Sequence, residues 1–270
     1  MRALLPLLGA ANLHALRLAL RDTALARELV AGSSRRFNEL MGRGLPKKDP
    51  VEYIYEKHWA VRSCDDRIVL PAVLDGTGGG TRTNEMVVLA AVTRILRPSR
   101  VFEVGTFAGR TTSVLILNAP AEADILTLDL PEEAKTPAAD RAFLDSDAVL
   151  VGSRTVGAYL RELQLERRCR QIFADSMAFD PSPYAGSVEL AFIDAAHARP
   201  YVENDTRKVA AMMADRGLVF WHDYGGAGRF GGLTAYLDDL ARTIDIYRVG
   251  ETTLAWAPAS EVRRLADGAR

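Results

Sequence analysis

An α/β fold built on a parallel sheet is what the sequence predicts, on three observations. From Arg100 onward short apolar runs alternate with amphipathic stretches of helical period, the signature of parallel strands joined by crossover helices. The first apolar run leads into a Gly-x-x-x-Gly turn that opens a helix, Val101-Phe-Glu-Val-Gly-Thr-Phe-Ala-Gly-Arg-Thr-Thr112. The alternation breaks only at the end, where two apolar runs flank a Gly250-Glu251 turn and read as an antiparallel hairpin.

Taken in order, the first hundred residues read mainly as helix and loop. Leu13, Leu16, Leu20 and Ala24 recur at helical spacing on one face, a stripe that suits core packing or a partner, including a second copy of the chain. Gly42 to Pro50, rich in Gly, Pro and Lys, reads as a linker or mobile loop. Gly76-Thr-Gly-Gly-Gly80 reads as a hinge or lid ahead of Thr81-Arg-Thr-Asn-Glu85, which could reach a ligand pocket from the amino-terminal side. Val88, Val92 and Ile95 then give a helix that Pro98 stops. Strands are expected at Val101 to Val104, Ile125 to Leu128, Arg170 to Phe173, Leu190 to Ile193 and Leu218 to Trp221, with helices starting near Gly109, Thr155, Tyr201 and Leu233. Ile244 to Val249 and Thr252 to Ala257 form the hairpin.

The 270 residues carry 34 Lys and Arg against 35 Asp and Glu, with 48% hydrophobic and 26% charged residues. That composition excludes a disordered, collagenous or disulfide-framework chain and suits one α/β domain plus an appendage. The division expected is a mainly helical extension or lid over residues 1–80 and the α/β domain over 81–270. The net charge of −1 hides an asymmetry, since Met1 to Lys48 holds nine Lys and Arg against three Asp and Glu. No uniform basic surface is left for nucleic acid, and no run approaches the ~18 apolar residues that span a bilayer. Cys64 and Cys169 show no metal or redox spacing, so reduced thiols and a cytoplasmic location are expected. The apolar start, Met-Arg-Ala-Leu-Leu-Pro-Leu-Leu-Gly, is a weak match to an export signal because Arg17 and Arg21 follow soon after it.

The chemistry-bearing residues fall at strand ends. Gly105 allows a sharp turn with room for a ligand, and Gly109 a close helix approach. The spacing is neither Gly-x-Gly-x-x-Gly nor a phosphate-gripping loop, and Glu103 would repel a pyrophosphate but attract an ammonium. A cofactor with an amino acid tail therefore suits the turn better than a dinucleotide, which disfavours a nicotinamide-dependent oxidoreductase. The second strand ends in Asp129, placed to bind both hydroxyls of a ribose, and the third in Asp175 and Ser176, placed to accept from an adenine amino group. Any single Asp at a strand end is more often a helix cap or surface residue, but three acidic strand ends in register after a glycine-rich turn favour the ligand reading. Gly226-Ala-Gly-Arg-Phe-Gly231 does match the dinucleotide spacing, but it follows the fifth strand and reads as a loop over the substrate mouth.

This arrangement of glycine turn and acidic strand ends resembles the class I S-adenosylmethionine-dependent methyltransferases, from about Thr83 to Ala257. The resemblance implies a Rossmann-like seven-stranded sheet of order 3-2-1-4-5-7-6, last strand antiparallel, with helices on both faces. It implies that the turn with Glu103, Gly105, Thr106 and Gly109 holds the methionine part of S-adenosylmethionine, that Asp129 holds the ribose, and that Asp175 and Ser176 lie by the adenine.

Strands four and five deliver Asp194 and His197, and His222 and Asp223, to the same edge, where two carboxylates and an imidazole suit a divalent cation, magnesium rather than zinc. Here the resemblance narrows to the catechol O-methyltransferase-like branch, the methyltransferase 24 group. It implies magnesium held by Asp194, His222 and Asp223, with His197 removing the proton of an acceptor hydroxyl; the chain departs at His222, where many relatives have a carboxylate, and His222 could instead support the ligands from behind or face the adenosine side. The expected activity is methylation of a hydroxylated small molecule, a sugar or secondary metabolite. The competing expectation is an inactive methyltransferase-like binding module that docks through its basic amino-terminal region.

Overall fold

A computed structural model describes residues 44–60, 67–71, 80–131, 155–226 and 230–267. The leucine stripe at 13–24, Cys64, residues 76–79 of the glycine break, most of the stretch between strand two and its helix, and residues 227–229 lie outside the described residues.

Seven strands form one sheet: β1 (Arg100–Val104), β2 (Asp124–Asp129), β3 (Arg170–Phe173), β4 (Val188–Ile193), β5 (Met213–Trp221), β6 (Tyr247–Arg248) and β7 (Ala255–Pro258). Their order is β3-β2-β1-β4-β5-β7-β6, with β7 antiparallel to both neighbours, which is the expected topology. The helices are α1 (Pro50–Glu56), α2 (Thr83–Leu96), α3 (Arg110–Asn118), α4 (Ala158–Glu162), α5 (Arg199–Met212), α6 (Gly231–Leu240) and α7 (Ala259–Asp267). The central strands are largely apolar because both sheet faces are covered, with Glu103 in β1 and Thr127 in β2 as buried exceptions. Phe102, Val104, Leu126, Ala191, Val219 and Trp221 join one core with α5, α6 and α7. Val101, Ile125, Leu190, Phe192 and Phe220 join the other with α1, α2 and α3.

Three elements differ from expectation. Gly44 to Pro50 is fixed rather than a mobile linker: Lys47 bridges Arg248 in parallel, and Asp49 caps α1 by accepting from the Val51 N–H at 2.8 Å. Strand β5 begins at Met213, which reads in sequence as the last apolar residue of the preceding helix. The terminal helix α7 was not expected; it buries Val262 against the sheet core. No helix among the described residues is long and apolar enough to cross a membrane.

Register places the site. Val104 pairs with Leu128 and Ile193, and Ile193 with Trp221, so Gly105, Asp129, Asp194 and His222 all emerge at one level of the carboxyl edge. The ladder runs one step further there, with N–H donation from Asp194 to the Val104 carbonyl at 2.8 Å and from His222 to that of Ile193 at 3.1 Å.

Candidate active site

The glycine turn is tighter than a ligand cradle requires. Gly105 has φ +97°, and a Cβ there would lie 2.0 Å from the Asp194 carbonyl oxygen; at Gly109, φ +85°, it would meet Leu160 Cγ at 2.7 Å. Both glycines are demanded by protein packed against protein. Asp129 organises the turn by accepting from the Phe107 N–H at 2.7 Å, while its other oxygen accepts from the Leu130 N–H at 2.7 Å.

Glu103 lies beneath the turn, fully buried, with Oε2 accepting from Thr112 at 2.5 Å and Thr127 at 2.6 Å. Burial pushes its carboxyl up to about 8 against those two hydrogen bonds, helped by the charges of Asp194 and Asp129. Near neutral pH it is largely a neutral acid, and its Oε1 is buried without a hydrogen-bond partner. Thr106, also buried, shares a hydrogen bond with Thr127 at 2.6 Å and accepts from Gln171 at 2.9 Å.

Asp175 follows β3 and acts as a cap. It accepts from the Met177 N–H at 2.9 Å, as a capping residue does, and from the Tyr201 hydroxyl at 3.4 Å. The Ser176 carbonyl accepts from Lys208 at 2.6 Å and Asn204 at 3.0 Å, which fixes this loop to α5.

The structure brings Asp194, His197, His222 and Asp223 together. His197 Nε2 lies 3.0 Å from Asp223 Oδ2, and the His197 ring packs against Phe230 with centroids 4.1 Å apart. His222 Nδ1 lies 3.2 Å from Asp194 Oδ1 and 3.3 Å from Asp223 Oδ2, while its Nε2 lies 3.0 Å from Glu85 Oε2. Glu85 is the residue that sequence reasoning passed over as part of a chain segment near the pocket. It is fully buried on α2, and its carboxylate also accepts from the Arg82 N–H and from both the N–H and the hydroxyl of Thr253. Burial alone would raise its pKa, but the hydrogen bond and charge of His222 and the two backbone donors hold it at about 2. Asp223 is likewise held well below the carboxylate range, despite burial, by the charge of His222 and the hydrogen bonds of His197 and His222.

Asp194, His197 and Asp223 each offer one ligand atom within 4.8 Å of the others, a spacing that a cation could use. Their contacts do not fit magnesium. His222 Nδ1 stands between the two carboxylates that an ion would bridge, and Asp223 Oδ2 is also engaged by His197. His222, expected as a ligand, is closed to that role. Its Nε2 faces Glu85 and its Nδ1 faces Asp194 and Asp223, so neither ring nitrogen turns to an open position.

Residues 102–224 match the family described as Methyltransferase domain, of the methyltransferase 24 type. That match spans 123 of the 270 residues and agrees with the resemblance seen in the sequence. A search of curated proteins gives no match. Among solved structures, the Podospora anserina methyltransferase PaMTH1 bound to S-adenosylhomocysteine is 12% identical, over 66% of this chain and 78% of that one, with a TM-score of 0.49. The O-methyltransferase TomG of Streptomyces achromogenes, involved in tomaymycin synthesis and in complex with S-adenosylmethionine, is 14% identical over 84% and 95%, with a TM-score of 0.46. Likenesses this distant leave the chemistry to be argued from the residues.

Proposed function

Starting from a methyltransferase domain over residues 102–224, we propose that this chain is an S-adenosylmethionine-dependent enzyme that methylates a hydroxyl of a small molecule, a sugar or secondary metabolite, with His197 as general base. The observation that carries the reading is the His197–Asp223 pair, 3.0 Å apart at the sheet edge that also bears Asp129 and Asp194.

Bound S-adenosylmethionine supplies a methyl group on a cationic sulfur, which an in-line oxygen nucleophile displaces. The chain's own residues fit that cofactor at three points. Glu103 Oε1 is buried without a partner beneath the turn, and an ammonium placed there would favour loss of the carboxyl proton and become its partner. Asp129 has each oxygen engaged by one backbone N–H, and a carboxylate oxygen can accept a second bond, here from a ribose hydroxyl. Asp175 and Ser176 follow β3, next to β2, where the adenine would lie.

A neutral alcohol is a poor nucleophile, so the methyl acceptor needs a base within reach. Asp223, ionised and facing Nε2, favours the tautomer with the proton on that nitrogen and the lone pair on Nδ1. The ring would take the hydroxyl proton at Nδ1, and Asp223 would stabilise the resulting imidazolium. In this arrangement Asp194 and Asp223 are engaged by His222, and the acceptor proton would pass to His197 directly.

Calorimetry with S-adenosylmethionine and S-adenosylhomocysteine tests the reading. Wild type should bind both, and Asp129→Ala should lose at least tenfold in affinity. His197→Ala should lower turnover by about 10² or more on any acceptor found in a panel of sugars and phenols, with cofactor affinity spared. No cofactor binding by wild type, with Asp129→Ala behaving alike, refutes the function; retained turnover removes His197 from the mechanism.

A further inference from the structure

We propose that helix α5 sets the purine selectivity of the cofactor site: a polar stripe on it, Tyr201, Asn204, Asp205 and Lys208, holds Asp175 where that carboxylate reads the amino group of an adenine, and Lys208 is the positioning residue of the stripe. Asp175 and Ser176 are taken here, as in the proposed function, to form the adenine side of an S-adenosylmethionine site.

The loop after β3 needs support from outside itself. Between β3 and β4 the chain forms no α-helix and one short 3-10 helix, Ser182–Tyr184. Its far end hangs from α5, with N–H donation from Gly186 to the Ala211 carbonyl at 3.3 Å and from Ser187 to that of Met212 at 2.9 Å.

The stripe grips the near end. Positions 201, 204, 205 and 208 of α5 follow one another at i, i+3, i+4 and i+7, so their side chains share a face of the helix. Lys208 Nζ donates to the Ser176 carbonyl at 2.6 Å and to the Met177 carbonyl at 2.8 Å. The Asn204 amide donates to the Ser176 carbonyl at 3.0 Å and to Asp205 Oδ1 at 2.8 Å. An amide nitrogen carries two hydrogens, so Asp205, itself 2% exposed, fixes the way Asn204 turns.

That grip reaches Asp175 from two sides. Its Oδ1 accepts from the N–H of Met177, the residue whose carbonyl Lys208 holds, and its Oδ2 accepts from the Tyr201 hydroxyl at 3.4 Å. A carboxylate placed in this way can accept from the amino group of a 6-aminopurine. A 6-oxopurine presents a carbonyl oxygen there instead, which leaves the carboxylate without that donor and costs affinity. Removing the Lys208 ammonium takes a charged donor from two consecutive carbonyls. Asp175 then keeps its charge and loses one of its anchors, so selectivity between the two purines is what falls.

Calorimetry of the full chain with S-adenosylhomocysteine and its 6-oxo analogue, S-inosylhomocysteine, is the test. Wild type should bind the adenine compound at least about tenfold more tightly. Lys208→Met, which keeps the length of the side chain, should cut that preference to about threefold or less, chiefly by weakening S-adenosylhomocysteine. Asn204→Ala should reduce it in the same direction. A wild type that binds both compounds equally, a Lys208→Met protein that keeps the wild-type preference, or one that weakens both compounds by the same factor would each overturn the proposal. Should Lys208→Met not fold, Asn204→Ala decides by the same criteria. Wild type binding neither compound would refute the methyltransferase reading and this proposal together, whereas binding by wild type with an unaltered preference in the variants would refute this proposal alone.

Discussion

Replacing Glu85 by Gln keeps the size of the side chain and removes its charge. The carboxylate accepts four hydrogen bonds, from Thr253 N–H and hydroxyl at Oε1 and from Arg82 N–H and His222 Nε2 at Oε2. An amide in either orientation points its NH2 at one of these pairs. The carboxyl is held at about 2 against an ordinary 4.5, and that difference corresponds to about 3 kcal/mol of stability. Breaking a buried ion pair by removing one partner costs a similar ~3–5 kcal/mol. Because the folded value is the lower one, this stability is complete above the unfolded pKa and is lost as pH falls toward the folded value, about 2 kcal/mol of it by pH 3. The raised pKa of His222 comes from the charges of Asp194 and Asp223 and is not added to this figure. Urea denaturation followed by tryptophan fluorescence should place Glu85→Gln about 3 kcal/mol below wild type at pH 7, with the gap narrowing by about 2 kcal/mol between pH 6 and pH 3. A cost under about 1 kcal/mol at pH 7, or a gap that stays constant with pH, would refute the buried ion pair.

Gly105→Ala should destabilise by more than about 3 kcal/mol in the same assay, since its Cβ would sit 2.0 Å from the Asp194 carbonyl at φ +97°; a change under about 1 kcal/mol would contradict the contact between β1 and β4. The Cys169 thiol is pushed up to about 11 by burial and then by the charges of Glu103 and Glu166. In a Cys64→Ser background, iodoacetamide at pH 8 should therefore label it about 100-fold more slowly than an ordinary thiol, and labelling at the ordinary rate would count against that environment.

The fold was legible because parallel strands covered on both faces leave unbroken apolar runs, as at Leu218 to Trp221. The start of β5 was not. Met213 to Gly217 is only part buried, and Gly217 sits where β4 and β5 shift register, so no period of two marks the strand. Helix α7 carried a readable signal in Val262, Leu265 and Ala266, at helical spacing directly after β7. In the site, acids at strand ends stood out because they interrupt apolar sequence. Glu85 did not: acidic residues in a first helical turn are ordinary, and it does serve as one by accepting from the Arg82 N–H at 2.8 Å. Its second role depends on His222, 137 positions away, and only the folded chain brings the two together.

That pairing ties the position of a helix to the chemistry at the sheet edge. From Glu85 Oε2 the contacts run 3.0 Å to His222, 3.3 Å from its other nitrogen to Asp223, and 3.0 Å to His197. A planar ring with nitrogens on opposite sides suits this link, because it faces carboxylates from α2 and from the ends of β4 and β5 at a fixed separation. A lysine would offer a single mobile point charge in the same place. Helix α2 is also fixed at this end by Thr81, whose hydroxyl meets that of Thr111 on α3 at 2.5 Å. A shift of α2 therefore cannot leave His222 in place without breaking the contact to Glu85. The position of α2 is thereby linked to His197 through side chains in contact, Glu85 to His222, His222 to Asp223 and Asp223 to His197.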